Sequence, residues 1–227
     1  MIYELRVYDI APGKLGAIND RFANHMIGFF KKYGIGILGF WTDQIGTSNR
    51  VTYMTIFESM ADRDAKISAV SADPALHKLF AETEKDGPLA DTINNRILKL
   101  TPYSPTPKFT TNVQELRIYE SVPVKLFPLH DRFANHTDAL LKKHGMEVVA
   151  YWTEDVGNSN NLVYMVGHDS VGDVAKSWAA FGSDPEWQKV FTETEKDGAL
   201  VRKVRNTVMR PTPYSPTGEG VAPRPLQ

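Results

Sequence analysis

The 227 residues carry 42% apolar and 23% charged side chains with a formal charge of -1, the balance of a globular chain long enough for one large core or two small ones. Without a basic surplus, nucleic acid or an anionic membrane is not expected as the main partner, and without cysteine there are no disulfides or thiolate metal sites. No apolar run is long enough to span a bilayer, and Met1 leads straight into a strand-like segment, so a cytoplasmic protein without membrane insertion is expected.

Glu4-Leu5-Arg6-Val7-Tyr8 alternates as a strand, with Leu5 and Val7 on one face and Glu4, Arg6 and Tyr8 on the other. Pro12-Gly13 ends it, and a helix follows from Leu15 to Lys32, where Gly34 is placed to stop it. Its predicted inner stripe is Leu15, Ile18, Phe22, His25 and Phe29, spaced by three and four. Ile37 to Thr42 and Val51 to Phe57 read as a hairpin around the turn composition Gly46-Thr47-Ser48-Asn49. Ser59 followed by Asp62 opens a second helix with inner residues Met60, Arg63, Ile67 and Val70, Asp73-Pro74 caps a third ending at Gly87, and Asn95 to Leu100 gives the fourth strand.

The whole pattern then repeats. Asp20-Arg21-Phe22-Ala23-Asn24-His25 returns 111 positions later as Asp131-Arg132-Phe133-Ala134-Asn135-His136. From Glu4/Glu115 to Thr106/Thr217 the copies align without a gap at roughly 40% identity, far above chance self-similarity. The second stripe reads Leu126, Leu129, Phe133, His136 and Leu140. The expected organisation is a first repeat over 1–107, a second over 108–217 and a Pro/Gly-rich tail over 218–227, mobile or laid along the surface. The fold class is α+β, with tandem ferredoxin-like βαββαβ repeats. The helix-free face of each sheet must be covered, most simply by its duplicate, which gives a barrel with helices outside. Glu4, Arg6, Glu115 and Arg117 are then expected between the sheets as an ion-pair ladder that docks the halves.

Tyr3-Glu4-Leu5-Arg6 with Tyr8, Pro12-Gly13-Lys14, Gly39-Phe40-Trp41, the Gly46 turn with Asn49, and Asp73-Pro74 together resemble the NIPSNAP family of the dimeric α+β-barrel superfamily. The chain looks like two fused NIPSNAP domains, departing in the second copy at Val124, Ala150 and His168, which replace Gly13, Gly39 and Phe57. The resemblance implies a barrel formed by a domain pair, here covalent, with a cleft between sheet and helices in each unit. The wider superfamily includes cofactor-free oxygenases, haem proteins and small isomerases that use this cleft. The NIPSNAP branch has no agreed reaction, and its eukaryotic members are discussed mainly as mitochondrial or vesicle-associated interaction proteins.

His25 and His136, expected to point inward from an apolar stripe, are the candidate acid–base residues, weighed against buried structural histidines. Asn24 and Asn135 flank them, and Trp41, Tyr53, Trp152 and Tyr164 are candidate ligand-binding walls, with Tyr53 a candidate hydrogen-bond partner for His25. Arg21 reads as a solvated or salt-bridged helix residue, with Asp20 or a carboxylate of the other unit as its expected partner, and Thr83 and Thr194 fall in register with inner positions. No metal is expected: no two histidines are spaced as a pair on one helix face and there is no thiol. No phosphate loop, dinucleotide fingerprint or nucleophile elbow points to a cofactor either. Two functions follow. One is a protein binding a small, largely apolar or aromatic molecule, with proton abstraction or cofactor-independent oxygenation by His25 or His136. The other is a non-catalytic interaction scaffold. Further homo-oligomerisation is compatible with either.

Overall fold

The computed structural model describes residues 1–216, so the predicted tail at 218–227 lies outside the described residues. Each half runs strand, broken helix, hairpin, two helices, strand. The first comprises β1 (Ile2–Ile10), α1 (Leu15–Arg21), α2 (Ile27–Lys32), β2 (Gly36–Ile45), β3 (Arg50–Phe57), α3 (Met60–Ser71), α4 (Pro74–Thr83) and β4 (Ala90–Leu100). The second repeats it with β5 (Val113–Ser121), α5 (Leu126–Arg132), α6 (Asp138–Lys143), β6 (Glu147–Val156), β7 (Asn161–His168), α7 (Val171–Ser183), α8 (Pro185–Thr194) and β8 (Val201–Pro211). The caps are those the sequence shows. Ser59 Oγ accepts from the Asp62 amide at 3.1 Å, and Asp73 and Asp184 accept from the amides two residues on, ahead of Pro74 and Pro185.

The eight strands close into one antiparallel barrel in the order β1-β3-β2-β8-β5-β7-β6-β4. Two of its seams join the halves: β2 pairs with β8 from Trp41↔Pro211 to Ile45↔Val208, and β4 with β6 from Ile97↔Val156 to Leu100↔Trp152. Closure leaves each half incomplete without the other, since these seams satisfy backbone groups that would otherwise form open edges.

Side-chain alternation sorts the core into three parts. Tyr3, Leu5, Trp41 and Met54 meet Leu116, Val149, Trp152 and Met209 inside the bore, while Phe22, Phe40 and Tyr53 pack under the helices of the first half and Phe133, Tyr151 and Tyr164 under those of the second. This inverts one expectation. Leu5 and Val7 face the bore, and Glu4, Arg6 and Tyr8 face the helices. The physical reason is solvation: the sealed bore offers a charge almost no partners, whereas under the helices Glu4 meets Arg63 of α3 at 2.6 Å and Arg6 keeps 18% exposure. Glu4 and Arg6, like Glu115 and Arg117, thus pair within their own halves and do not dock the two; among the described residues the ion pairs between the halves are Arg96–Glu154 and Lys99–Asp155, each at 2.9 Å along the β4–β6 seam.

The segments after β4 and β8 are exchanged arms. Tyr103, which follows the first half, packs on Tyr151 and hydrogen-bonds His130 at 2.8 Å, while Ser104 Oγ accepts from the Tyr151 amide. Tyr214 reciprocates, donating to Asn19 Oδ1 at 2.6 Å as Ser215 Oγ accepts from the Phe40 amide. Tyr103 and Ser104 at the end of the first repeat and the residues from Thr212 to Ser215 at the end of the second are therefore docked structure, each clasping the other half's helix layer.

Candidate functional site: the aromatic cleft of the second half

Between α5, α7 and α8 on one side and β5, β7 and β8 on the other lies a cavity of about 270 Å³. Tyr119, Phe133, Tyr164, Trp178, Phe181, Trp187 and Phe191 supply its rings, and Arg132, Thr137, Glu195 and the β8 residues Val201 to Val204 complete it. The rings pack edge to face or tilted, with Phe133 5.1 Å from Tyr164 and Phe181 4.5 Å from Trp187 between centroids. Four substitutions between the copies build this space. Trp178, Phe181 and Trp187 stand where the first half has Ile67, Val70 and Leu76, and Thr137 where it has the buried Met26.

Thr137 can sit there because the helix between α5 and α6 takes one π turn over Phe133–Thr137, matched by Phe22–Met26 in the first half. The Thr137 hydroxyl donates to the Arg132 carbonyl five residues back at 3.2 Å, within that widened turn. A π turn inserts one residue into the helical repeat, so the inner positions become Ile18, Phe22, Met26 and Phe30, and in the second copy Leu129, Phe133, Thr137 and Leu141.

That insertion rotates His25 and His136 outward: both are exposed, as are Asn24 and Asn135, and the expected inward imidazole is not found. His136 and Asn135 instead line a shallow surface depression with Asp131, Arg132 and Thr194. The Tyr53 hydroxyl meets Tyr8, at 3.1 Å, in place of the expected His25. Trp41 and Trp152 are also displaced from the cleft. Trp41 opposes Thr52 on β3 while Phe40 opposes Tyr53, so tryptophan and tyrosine lie on opposite faces of the sheet, and both tryptophans fill the bore. Trp41 Nε1 donates there to Gln114 at 2.9 Å. Of the eight residues singled out from the sequence, Tyr164 alone lines the second-half cavity, and Tyr53 occupies the equivalent place in the first half.

A row of buried polar groups backs each cleft. In the second half Glu115 accepts from Arg117 Nη1 at 2.6 Å, from Asn206 at 2.9 Å and from the Trp178 indole, with His168 Nε2 at 3.6 Å. Burial works against its charge, but His168, Arg117, Trp178 and Asn206 outweigh it and hold the carboxyl down at about 2. Trp178 is thereby locked as a cavity wall by a charge-assisted bond, with the Arg117 guanidinium 4.0 Å from its ring centroid. In the first half Glu4 takes Arg63 where the second has Val174, and Phe57 stands in place of His168. Burial lifts the phenols of Tyr53 and Tyr164 well above their ordinary range, so both remain neutral donors. Arg21 is salt-bridged to Glu84 of its own half at 2.6 Å, in place of Asp20 or the other half, Arg132 likewise to Glu195 at 2.9 Å, and Thr83 and Thr194 donate back to helix carbonyls.

Among the described residues no cluster of His, Cys, Asp and Glu is arranged to hold a metal ion, and no helix is long and apolar enough to cross a membrane. The NIPSNAP family profile matches residues 3–105 and again 114–216, one match on each half. The chain belongs to the NIPSNAP family. A Protein NipSnap homolog from Dictyostelium discoideum is 25% identical over 203 residues, covering 85% of this chain and 81% of the relative. Among solved structures, a protein from Lactobacillus acidophilus NCFM provisionally described as a monooxygenase superposes with a TM-score of 0.60 at 13% identity, over 92% of this chain and 93% of its own. An anthrone oxidase-like protein gives 0.60 at 11% identity, over 97% and 95%. At these identities the two structures share the barrel and nothing finer.

The signal for the site was the difference between the copies. Trp178, Phe181 and Trp187 replace smaller aliphatic side chains at aligned positions, a change that neither composition nor periodicity ranks as functional.

Proposed function

We propose that this NIPSNAP-family barrel binds a small, largely apolar or aromatic molecule in the sheet–helix cleft of its second half. The observation that carries the reading is the cavity beneath Trp178 and Trp187, where rings from two strands and three helical segments converge on a space of about 270 Å³. That is close to the low end of ligand pockets, typically about 300–1,000 Å³, so the ligand is small. Enclosure by rings favours flat apolar surface, and Tyr164 supplies a neutral hydroxyl donor for a polar substituent. The relatives sharing the barrel are described as a provisional monooxygenase and as anthrone oxidase-like, names that fit ligand chemistry in such a cleft without transferring a reaction. With the imidazoles of His25 and His136 at the surface, the reading is one of binding and does not rest on them.

The test restores the first half's residue at the cavity. Thr137→Met, copying Met26, places a longer side chain into the space. Ligand-observed NMR with 2-naphthalenemethanol should show saturation transfer from the wild-type protein and none from Thr137→Met, at unchanged melting temperature. Equal transfer from both proteins would remove the cleft as the site.

A further inference from the structure

The halves differ in charge around the cleft mouth as well as in ring content. In the first half Asp9 is held by Arg50 at 2.6 Å, and the neighbouring β4 positions are Asp91, Thr92 and Asn94. In the second half the matching β8 positions are Arg202, Lys203 and Arg205, gathered around the single carboxylate of Glu120. Arg202 and Arg205 pair with that carboxylate and Lys203 is its cross-strand neighbour, so cations outnumber anions on this rim. Arg202 is 56% exposed and also lines the cavity. A rim that is acidic on one copy and basic on the other is a selectivity element, because it favours a ligand of one charge sign and disfavours its opposite.

Deeper in, Arg132 donates through Nη1 to Glu195, itself a wall of the cavity, and keeps one buried donor, Nε, without a partner among the described residues. The side chain is 3% exposed, and its Nη1 also faces Thr194. An orphaned guanidinium N–H in such a place is costly unless something accepts from it. The edge carrying Nε, opposite Nη1, grips a carboxylate through two parallel bonds. The same guanidinium lies 5.4 Å from the Trp187 ring centroid and 5.7 Å from that of Phe191. Among the described residues Nε is likewise without a partner on Arg6, Arg21, Arg63, Arg117 and Arg210, so what sets Arg132 apart is its place in the cavity wall under the basic rim, whereas Arg21 lies beneath the acidic one.

We propose that the second-half cleft selects a small planar aromatic carboxylic acid, bound as its anion. The ring lies among Phe133, Tyr164 and Trp178, and the carboxylate meets Arg132 under the basic rim. This rests on the reading of the cleft as a ligand site and adds the ligand's charge and the residues that read it.

Calorimetric titration with 2-naphthoate and with its neutral analogue 2-naphthalenemethanol separates the two ideas. The comparison uses the wild-type protein and the double variant Arg202→Asp/Lys203→Thr, which restores first-half residues at two exposed positions. The acid is expected to bind at least about tenfold more tightly than the alcohol, a preference that shrinks with added salt. The double variant is expected to lose most of that preference, read as the ratio of the two dissociation constants whatever the change in either one. An alcohol that binds the wild-type protein as tightly as the acid overturns the aromatic-acid assignment and leaves the cleft as a ligand site. Failure of both probes to bind overturns both readings, and a preference unchanged in the double variant overturns the charge argument.

Discussion

Acid should weaken the second half through Glu115. This carboxyl is fully buried and is held at about 2, against an ordinary value of 4.5, by His168, Arg117, Trp178 and Asn206 acting against the burial penalty. Because the folded value lies below the unfolded one, its contribution is fully present above about pH 4.5 and is lost as the pH falls from there through about 2. At about 1.4 kcal/mol for each tenfold change in proton affinity, the difference is worth about 3 kcal/mol, a large share of the roughly 5–15 kcal/mol that keeps a domain folded. Glu115→Gln removes the anion and leaves Arg117, 13% exposed, without its counterion. The variant should therefore lose about 3 kcal/mol at pH 6 and show a shallower stability loss between pH 4.5 and 2 than the wild-type protein. Urea unfolding followed by tryptophan emission and circular dichroism measures both quantities. A variant within about 0.5 kcal/mol of wild type at pH 6, or one with the same acid slope, would refute the assignment of that stability to Glu115.

Other consequences follow from particular contacts. Tyr103→Phe and Tyr214→Phe each delete one arm hydrogen bond, to His130 and Asn19, and each should cost about 1 kcal/mol in chemical denaturation; no loss in either would mean that the arms are held by ring packing alone. Val124 sits at φ 63 with 88% of its surface exposed, where the first half has Gly13, so Val124→Gly should stabilise the protein by up to about 1 kcal/mol, and a destabilised variant would count against that strain. His25→Gln and His136→Gln, both at exposed positions, should change stability by less than about 0.5 kcal/mol and leave 2-naphthalenemethanol binding intact, whereas a lost NMR signal would return these histidines to the site.

Much of the architecture was legible because the same information is written twice. The repeat, the hairpins, the caps at Ser59 and Asp73 and the barrel built from both halves all follow from local chemistry and an unbroken alignment. The site was less legible, for three physical reasons. A single π turn cannot be seen in a 3.6-residue periodicity, and it moved the inner stripe from His25 to Met26 and from His136 to Thr137. The choice of sheet face for Glu4 and Glu115 depended on partners far away in sequence, Arg63, Trp178 and Asn206, so alternation alone could not decide which side was the bore. Trp41 and Tyr53 looked like neighbours because their strands pair, yet the register sets Trp41 opposite Thr52 and sends the two rings to opposite faces. The exchange of Tyr103 and Tyr214 between the halves was not legible because a Pro-rich segment carries no periodic signal, whatever it docks against.

The central claim, that the second half holds a ligand cleft and the first does not hold the same one, is tested most directly by a crystal structure of the protein with 2-naphthoate. The account predicts density for one ligand beneath Trp178 and Trp187, its carboxylate within hydrogen-bond distance of Arg132. Density under α3 of the first half, in the depression beside His136, or nowhere in either cleft would contradict it.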